Sequence, residues 1–202
     1  MSQTLSANPR PQPTLPVYRN CLAALLHPSI ATYKMLGQQR ISIWHTYTLM
    51  FTSSLIGGVI DSLAPLRSQL VAQRSLDALL LAMIPVAALI AVCSLAAFAW
   101  CAQIVARFFK GSGAYAPLAY VVAAISAPLV IATSIVDQIP ATRMFLVVLY
   151  LYWLAQYVMA IRAVNGLAWV KAIAAVCLGL LMLGLIWLGV AVLVGYSGIL
   201  LP

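Results

Sequence analysis

The stretch RFFKGSGAYAPLAYVVAAISAP, residues 107–128, decides how the rest of the chain is arranged. It begins with a basic, glycine-containing turn and continues into an apolar segment interrupted by Pro128. The charges of the turn are Arg107 and Lys110, and long apolar runs with almost no charge lie on both sides of it. Because cationic loops determine which side of a bilayer the neighbouring apolar segments face, this turn orients the segments around it.

The amino-acid composition is that of an integral membrane protein. Of the 202 residues, 64% are hydrophobic and 7% are charged. A soluble fold of this size cannot bury so much apolar surface, so we expect lipid to solvate much of it. Helical spans of about 20 residues cross a hydrocarbon core of about 30 Å, and roughly five of them account for the length of the chain.

Two segments precede the first predicted span. Residues 1–16 hold four prolines among polar residues, a composition that favours a disordered tail. Residues 17–40 mix apolar and basic positions and are too short and too charged to span, which indicates an amphipathic segment in the membrane interface. Its cations are Arg19, Lys34 and Arg40, and we expect them to reach anionic lipid head groups on the cytoplasmic side.

The remaining residues, 41–202, form a predicted domain of five transmembrane helices, so the predicted fold class is an all-α membrane bundle. The first span is rich in hydroxyl side chains, which suits packing inside a bundle better than contact with lipid. A loop over residues 61–75 follows it. We expect the third span alone to bend, because Pro128 removes a backbone donor inside it. The predicted spans are 43–60, 76–104, 116–136, 141–164 and 170–196.

The distribution of charge predicts the orientation of this bundle. With five spans, the N-terminal segment and two turns share one face, which holds eight of the 11 Lys and Arg residues. The opposite face holds all the acidic residues of the chain: Asp61, Asp77 and Asp137. By the positive-inside rule the N-terminus is cytoplasmic and the C-terminus is outside, and the expected location is a bacterial cytoplasmic membrane. Because topology explains the basic charge, we expect no nucleic-acid partner.

Residue types that carry catalysis or bind metals are sparse. The chain has two histidines, three aspartates and no glutamate. Neither a pair of carboxylates nor a serine–histidine pair is visible inside the predicted bilayer. The four cysteines lack metal-ligand spacing, and the spans lack the buried ionisable groups that mark ion paths. We therefore predict a protein that is not an enzyme and that has no metal or cofactor.

Several short motifs lie in a fixed order among the predicted spans. They are Ala24-Leu25-Leu26-His27-Pro28 with Tyr33, then Gly111-Ser112-Gly113-Ala114-Tyr115, Ala119-Tyr120 and Ala127-Pro128-Leu129, and finally Trp153, Arg162-Ala163-Val164-Asn165-Gly166-Leu167 and Lys171-Ala172. Their order and spacing, over about residues 22–196, resemble those of the Yip domain family. The resemblance implies five helices and a cytoplasmic N-terminus. Eukaryotic members are associated with Rab-type GTPases and vesicle traffic, and the short tail resembles the bacterial branch.

Three functions are compatible with these features. The first is a non-enzymatic scaffold, assembly factor or accessory subunit that binds another integral membrane protein. Arg107 and Lys110 would then supply the charge of the binding surface, and Tyr115 and Tyr120 would anchor the partner through their aromatic rings. Pro128 would determine the shape of the helix behind them. The second function is a small transporter or channel gated at the Pro128 bend. The third is a lipid-organising protein that uses the basic N-terminal segment.

Overall fold

The structure, a computed structural model, describes residues 17–39, 41–69 and 75–200. These residues form helices and no strands, which confirms the all-helical class. The tail predicted over residues 1–16 lies outside the described residues, as does Arg40. In chain order the helices are α1 (Val17–Leu26), α2 (Ile30–Gln38), α3 (Ile43–Gln69), α4 (Ser75–Phe108), α5 (Tyr115–Asp137), a short 3-10 helix (Pro140–Thr142), α6 (Met144–Asn165) and α7 (Trp169–Leu200).

Four helices in the described part of the chain are long and apolar enough to cross a membrane, which is compatible with membrane integration. They overlap the second to fifth predicted spans. Helix α3 overlaps the first predicted span but is not among the four, and it is also the segment with the most hydroxyl side chains. The four segments with this length and apolar character are Ala82–Phe108, Tyr115–Asp137, Met144–Asn165 and Trp169–Leu193.

Two features of the helices differ from the prediction. Helix α3 continues to Gln69, into the loop predicted over residues 61–75, where Leu, Ala, Arg and Gln residues favour helix. Helix α4 contains Pro85, so Pro128 is not the only proline inside a long apolar helix. The expectation that a proline interrupts only one span was therefore wrong, because Pro85 lies inside the second predicted span.

Helix α5 is the most buried of the four apolar helices and lies at the centre of the bundle. Helix α3 packs along it in the same direction. At the start of both helices, the Tyr47 hydroxyl lies 3.1 Å from the Tyr115 hydroxyl. Farther along, a Cβ atom added to Gly57 would lie 3.0 Å from Val130 and 3.1 Å from Ser134. The two helices therefore share most of the thickness of the bundle.

The described charged side chains of this bundle lie near its two ends. One end, formed by the starts of α5 and α7 and the ends of α4 and α6, is called the basic end below. The other is the acidic end, where Asp61 is exposed on α3 and Asp137 forms an exposed ion pair with Arg143 at 3.4 Å. Such an exposed pair contributes little to stability. The described cations of the basic end include Lys34, Arg107, Lys110, Arg162 and Lys171.

Candidate functional site

The turn between α4 and α5, residues 109–114, is fixed against the end of α6. The side-chain amide of Gln103 donates to the Gly113 carbonyl at 2.6 Å, and the Ser112 N–H donates to the Asn165 carbonyl at 3.2 Å. A Cβ atom on Gly113 would lie 2.6 Å from Asn165 Oδ1, so no larger residue fits there without displacement. Two motifs that are far apart in sequence, at Gly113 and at Asn165, thus meet in the fold.

The end of α4 closes in a Schellman arrangement of backbone hydrogen bonds. The Gly111 N–H donates to the Ala106 carbonyl at 2.8 Å, and the Lys110 N–H donates to the Arg107 carbonyl at 2.9 Å. Lys110 has φ 66°, in the left-handed region that glycine usually occupies at this position. A lysine therefore stands where the backbone favours glycine.

The last turn of α4 and the turn that follows it present two cations and an aromatic ring. Arg107 and Lys110 are exposed, as the turn composition predicts. Phe108 lies between them in sequence and its side chain is 83% exposed. Phe108 is not among the predicted site residues. The signal that could have identified it is a pair of phenylalanines between two cations. These groups suit the recognition of an acidic surface.

The predicted aromatic anchors, Tyr115 and Tyr120, lie inside the protein. Tyr115 is half-buried and its hydroxyl contacts the Tyr47 hydroxyl of α3. Tyr120 is buried and its hydroxyl accepts a hydrogen bond from the Asn20 amide at 2.8 Å. Both hydroxyl groups therefore connect α5 to other helices of the same chain.

Helices α1 and α2 pack onto α5 and α6 through buried polar side chains. The Asn20 amide donates to Gln39 Oε1 at 2.8 Å as well as to the Tyr120 hydroxyl, and the Tyr33 hydroxyl donates to Gln156 Oε1 at 3.0 Å. Burial raises the pKa of Tyr33, so its hydroxyl keeps its proton. Gln156 lies nine residues before the end of α6, about 14 Å along the helix axis. The N-terminal helices therefore reach well along the bundle.

Pro128 lies inside α5 beside a polar contact between helices. The Ser126 hydroxyl donates to the Val122 carbonyl at 2.7 Å and lies 2.7 Å from the Tyr157 hydroxyl of α6. The Tyr157 ring stacks on Phe98 of α4, with 4.8 Å between the ring centroids. Three helices thus meet next to the proline. A gate at this position stays a prediction.

Side chains with catalytic or metal-binding chemistry are dispersed in the part of the chain that the structure describes. No group of three or more His, Cys, Asp or Glu side chains there could hold a metal ion. His27 and His45 are both exposed. Burial raises the pKa of the Cys21 thiol to about 11, so this thiol is protonated at neutral pH and is a poor nucleophile.

These features define the class of protein. Over the residues that the structure describes, it is all-helical, with four helices long and apolar enough to cross a membrane and with a basic end built on a fixed turn. Comparisons with protein-family models, with curated proteins and with solved structures found no match. The resemblance to the Yip domain family therefore rests on the sequence motifs and stays a prediction.

Proposed function

We propose that this is a non-enzymatic integral membrane protein that binds another membrane protein through the turn at its basic end. It would serve as a scaffold, an assembly factor or an accessory subunit. The observation that carries the proposal is the 83% exposure of Phe108, between the exposed cations Arg107 and Lys110. Aromatic and arginine side chains supply much of the binding energy of protein interfaces.

Charge complementarity defines the kind of partner that fits. The acidic residues of this chain belong to the other end of the bundle, where α3 ends, α4 begins and α5 ends. The cations Arg107 and Lys110 have no ion pair within the described residues. A partner with an acidic surface close to the membrane would complement them and speed the encounter of the two proteins.

The backbone of Lys110 supports the same proposal. A left-handed conformation costs a non-glycine residue about 1–2 kcal/mol. Strained residues are concentrated at binding and active sites, where the side chain is needed. We therefore infer that lysine occupies this position for its charge, at the expense of stability that glycine would restore.

We also propose that α3 is a fifth span, in the arrangement that the resemblance to the bacterial branch of the Yip domain family implies. Its 27 residues extend about 40 Å, more than the hydrocarbon core of about 30 Å. The hydroxyl side chains of Thr46 and Ser53 are buried within the bundle, an arrangement that a membrane helix tolerates. Five spans place the N-terminus at the basic, cytoplasmic end and the C-terminus outside.

A co-purification from native membranes tests the binding function. The chain carries an N-terminal tag and is extracted in mild detergent, either unaltered or as Phe108→Ala or Phe145→Ala. Phe145 is a matched control, because its side chain is 55% exposed near the acidic end. We expect a stoichiometric membrane protein with the unaltered chain and with Phe145→Ala, and about tenfold less of it with Phe108→Ala. Equal recovery of the partner with the unaltered chain and both variants would contradict the proposal. So would a chain that purifies without any partner even after crosslinking.

A further inference from the structure

A cavity of about 390 Å³ opens at the basic end between α2, the α4–α5 turn and the end of α6. Lys34 of α2, Ser112 of the turn and Arg162 of α6 contribute to its lining. A second cavity of about 170 Å³ lies beside it and shares Lys34, Ala163 and Val164. Both cavities are lined by α2 and by the end of α6, and Phe108 lines neither of them.

Two cations from different helices line the larger cavity without a carboxylate to balance them. Neither Lys34 nor Arg162 forms an ion pair in the described part of the chain. The guanidinium of Arg162 stacks over the Trp169 ring at 4.2 Å, which restrains the position of this cation. Two like charges beside one cavity repel each other, so an anion between them is electrostatically favoured.

Hydrogen-bond donors and a helix terminus add to the attraction for an anion. The Ser112 hydroxyl can donate to an oxygen in the cavity. Leu167 also lines the cavity and lies two residues before the start of α7. The first turn of a helix carries unpaired N–H groups and a positive partial charge. The Ser112 hydroxyl and the two cations match the oxygen atoms of a phosphate group.

The remaining lining distinguishes a lipid from a soluble ion. Ile30, Val164 and Leu167 give the cavity an apolar wall at the end of the membrane-crossing helices. An acyl glycerol backbone would contact this wall while its phosphate meets the cations. We propose that this cavity binds the phosphate-bearing head group of an anionic phospholipid, with Lys34 and Arg162 as its cationic ligands.

Lipid binding to the purified full-length chain tests the proposal. Native mass spectrometry in a neutral detergent would measure the apparent Kd of phosphatidylglycerol and of phosphatidylcholine. The variants are Lys34→Gln, Arg162→Gln and the double variant, and Lys171→Gln is the control because Lys171 does not line the cavity. We expect the Kd of phosphatidylglycerol to rise about fivefold for each single variant and about thirtyfold for the double variant.

A steric variant makes the test independent of charge. Ala163→Trp would fill the lining beside Val164, whereas Ala141→Trp places the same ring on an exposed residue at the acidic end. We expect only Ala163→Trp to weaken phosphatidylglycerol binding, by about tenfold or more. Because Lys34 is exposed, Lys34→Gln keeps the proposal testable even if an Arg162 variant fails to fold.

Two results would overturn the proposal. The first is phosphatidylglycerol binding that is unchanged in the Lys34 variant and in Ala163→Trp. The second is that inorganic phosphate or glycerol 1-phosphate binds with the same Kd as the lipid and displaces it. The cavity would then be a site for a soluble phosphate compound. Preferential binding of phosphatidylglycerol that depends on Lys34 and Arg162 would support the head-group assignment.

Discussion

At the scale of single residues, Lys110 is where stability and binding make opposite demands. Its φ of 66° lies in the left-handed region, where glycine has no Cβ conflict. We expect Lys110→Gly to raise the free energy of unfolding by about 1 kcal/mol and to reduce partner recovery, because it removes both the strain and the charge. Thermal unfolding in detergent and co-purification from native membranes would measure the two effects on the same preparation.

Lys110→Ala separates the two effects, since alanine lacks the charge but keeps the left-handed strain. This variant should recover as little partner as the glycine variant and show none of its gain in stability. A glycine variant that unfolds at the same temperature as the unaltered chain would argue against strain at Lys110. Full partner recovery with both variants would argue against a role for its charge.

The residues of the candidate site could be predicted from the sequence only where local composition decides their exposure. Arg107 lies in the last turn of α4 and Lys110 in the turn that follows, and both are exposed. Tyr115 and Tyr120 could not be placed in this way, because their hydroxyl groups pair with Tyr47 and Asn20, which are 68 and 100 residues away in sequence. Pairs of this kind leave no periodic pattern, so the packing of helices is needed to find them.

At the scale of secondary-structure elements, the N-terminal helices α1 and α2 show what an amphipathic pattern leaves open. The pattern predicts that one face of a short helix is apolar, but not whether lipid or protein covers that face. In the structure α1 contacts α5, and α2 contacts both α5 and α6. Buried Asn20 and Tyr33 hold this packing through hydrogen bonds. Contact with protein explains why polar residues stand among the apolar ones.

The contact between α1 and α5 depends on the hydroxyl group of Tyr120. Tyr120→Phe keeps the ring but removes the acceptor of the buried Asn20 amide, a loss worth about 1–3 kcal/mol. We expect α1 to detach more often, so trypsin should cleave after Arg19 at least about fivefold faster in detergent. The control is Tyr47→Phe, which removes a hydroxyl contact between α3 and α5 instead. Equal cleavage rates in the two variants would count against this role for Tyr120.

At the scale of the whole molecule, composition determines the class and tertiary contacts determine the arrangement. The apolar content predicts helices that cross a membrane, and the described residues contain four helices long and apolar enough to do so. Helix α3 is harder to assign, because hydropathy measures transfer of an isolated segment into lipid. Thr46 and Ser53 are buried against neighbouring helices, so the packed helix exposes less polar surface than its sequence suggests.

The number of spans determines whether the N-terminus and the turn at Ser112 lie on the same side of the membrane. If α3 crosses the membrane, the N-terminus and the turn at Ser112 lie on the same side, because two spans separate them. If α3 does not cross, one span separates them and they lie on opposite sides. Asp61, near the acidic end, would be on the side opposite Ser112 in the five-span arrangement.

Labelling with a membrane-impermeant maleimide decides between these arrangements. Single cysteines replace Asp61, Ser112 or Ala141, all exposed, in a chain whose native cysteines are changed to alanine. We expect Ser112→Cys to react only from the cytoplasmic side, together with protease access to an N-terminal tag. Asp61→Cys and Ala141→Cys should react only from the other side, since the excess of Lys and Arg predicts that the basic end faces the cytoplasm. An N-terminal tag on the side opposite Ser112 would show instead that α3 does not cross, and that the positive charge of the N-terminal segment does not share a face with the turn.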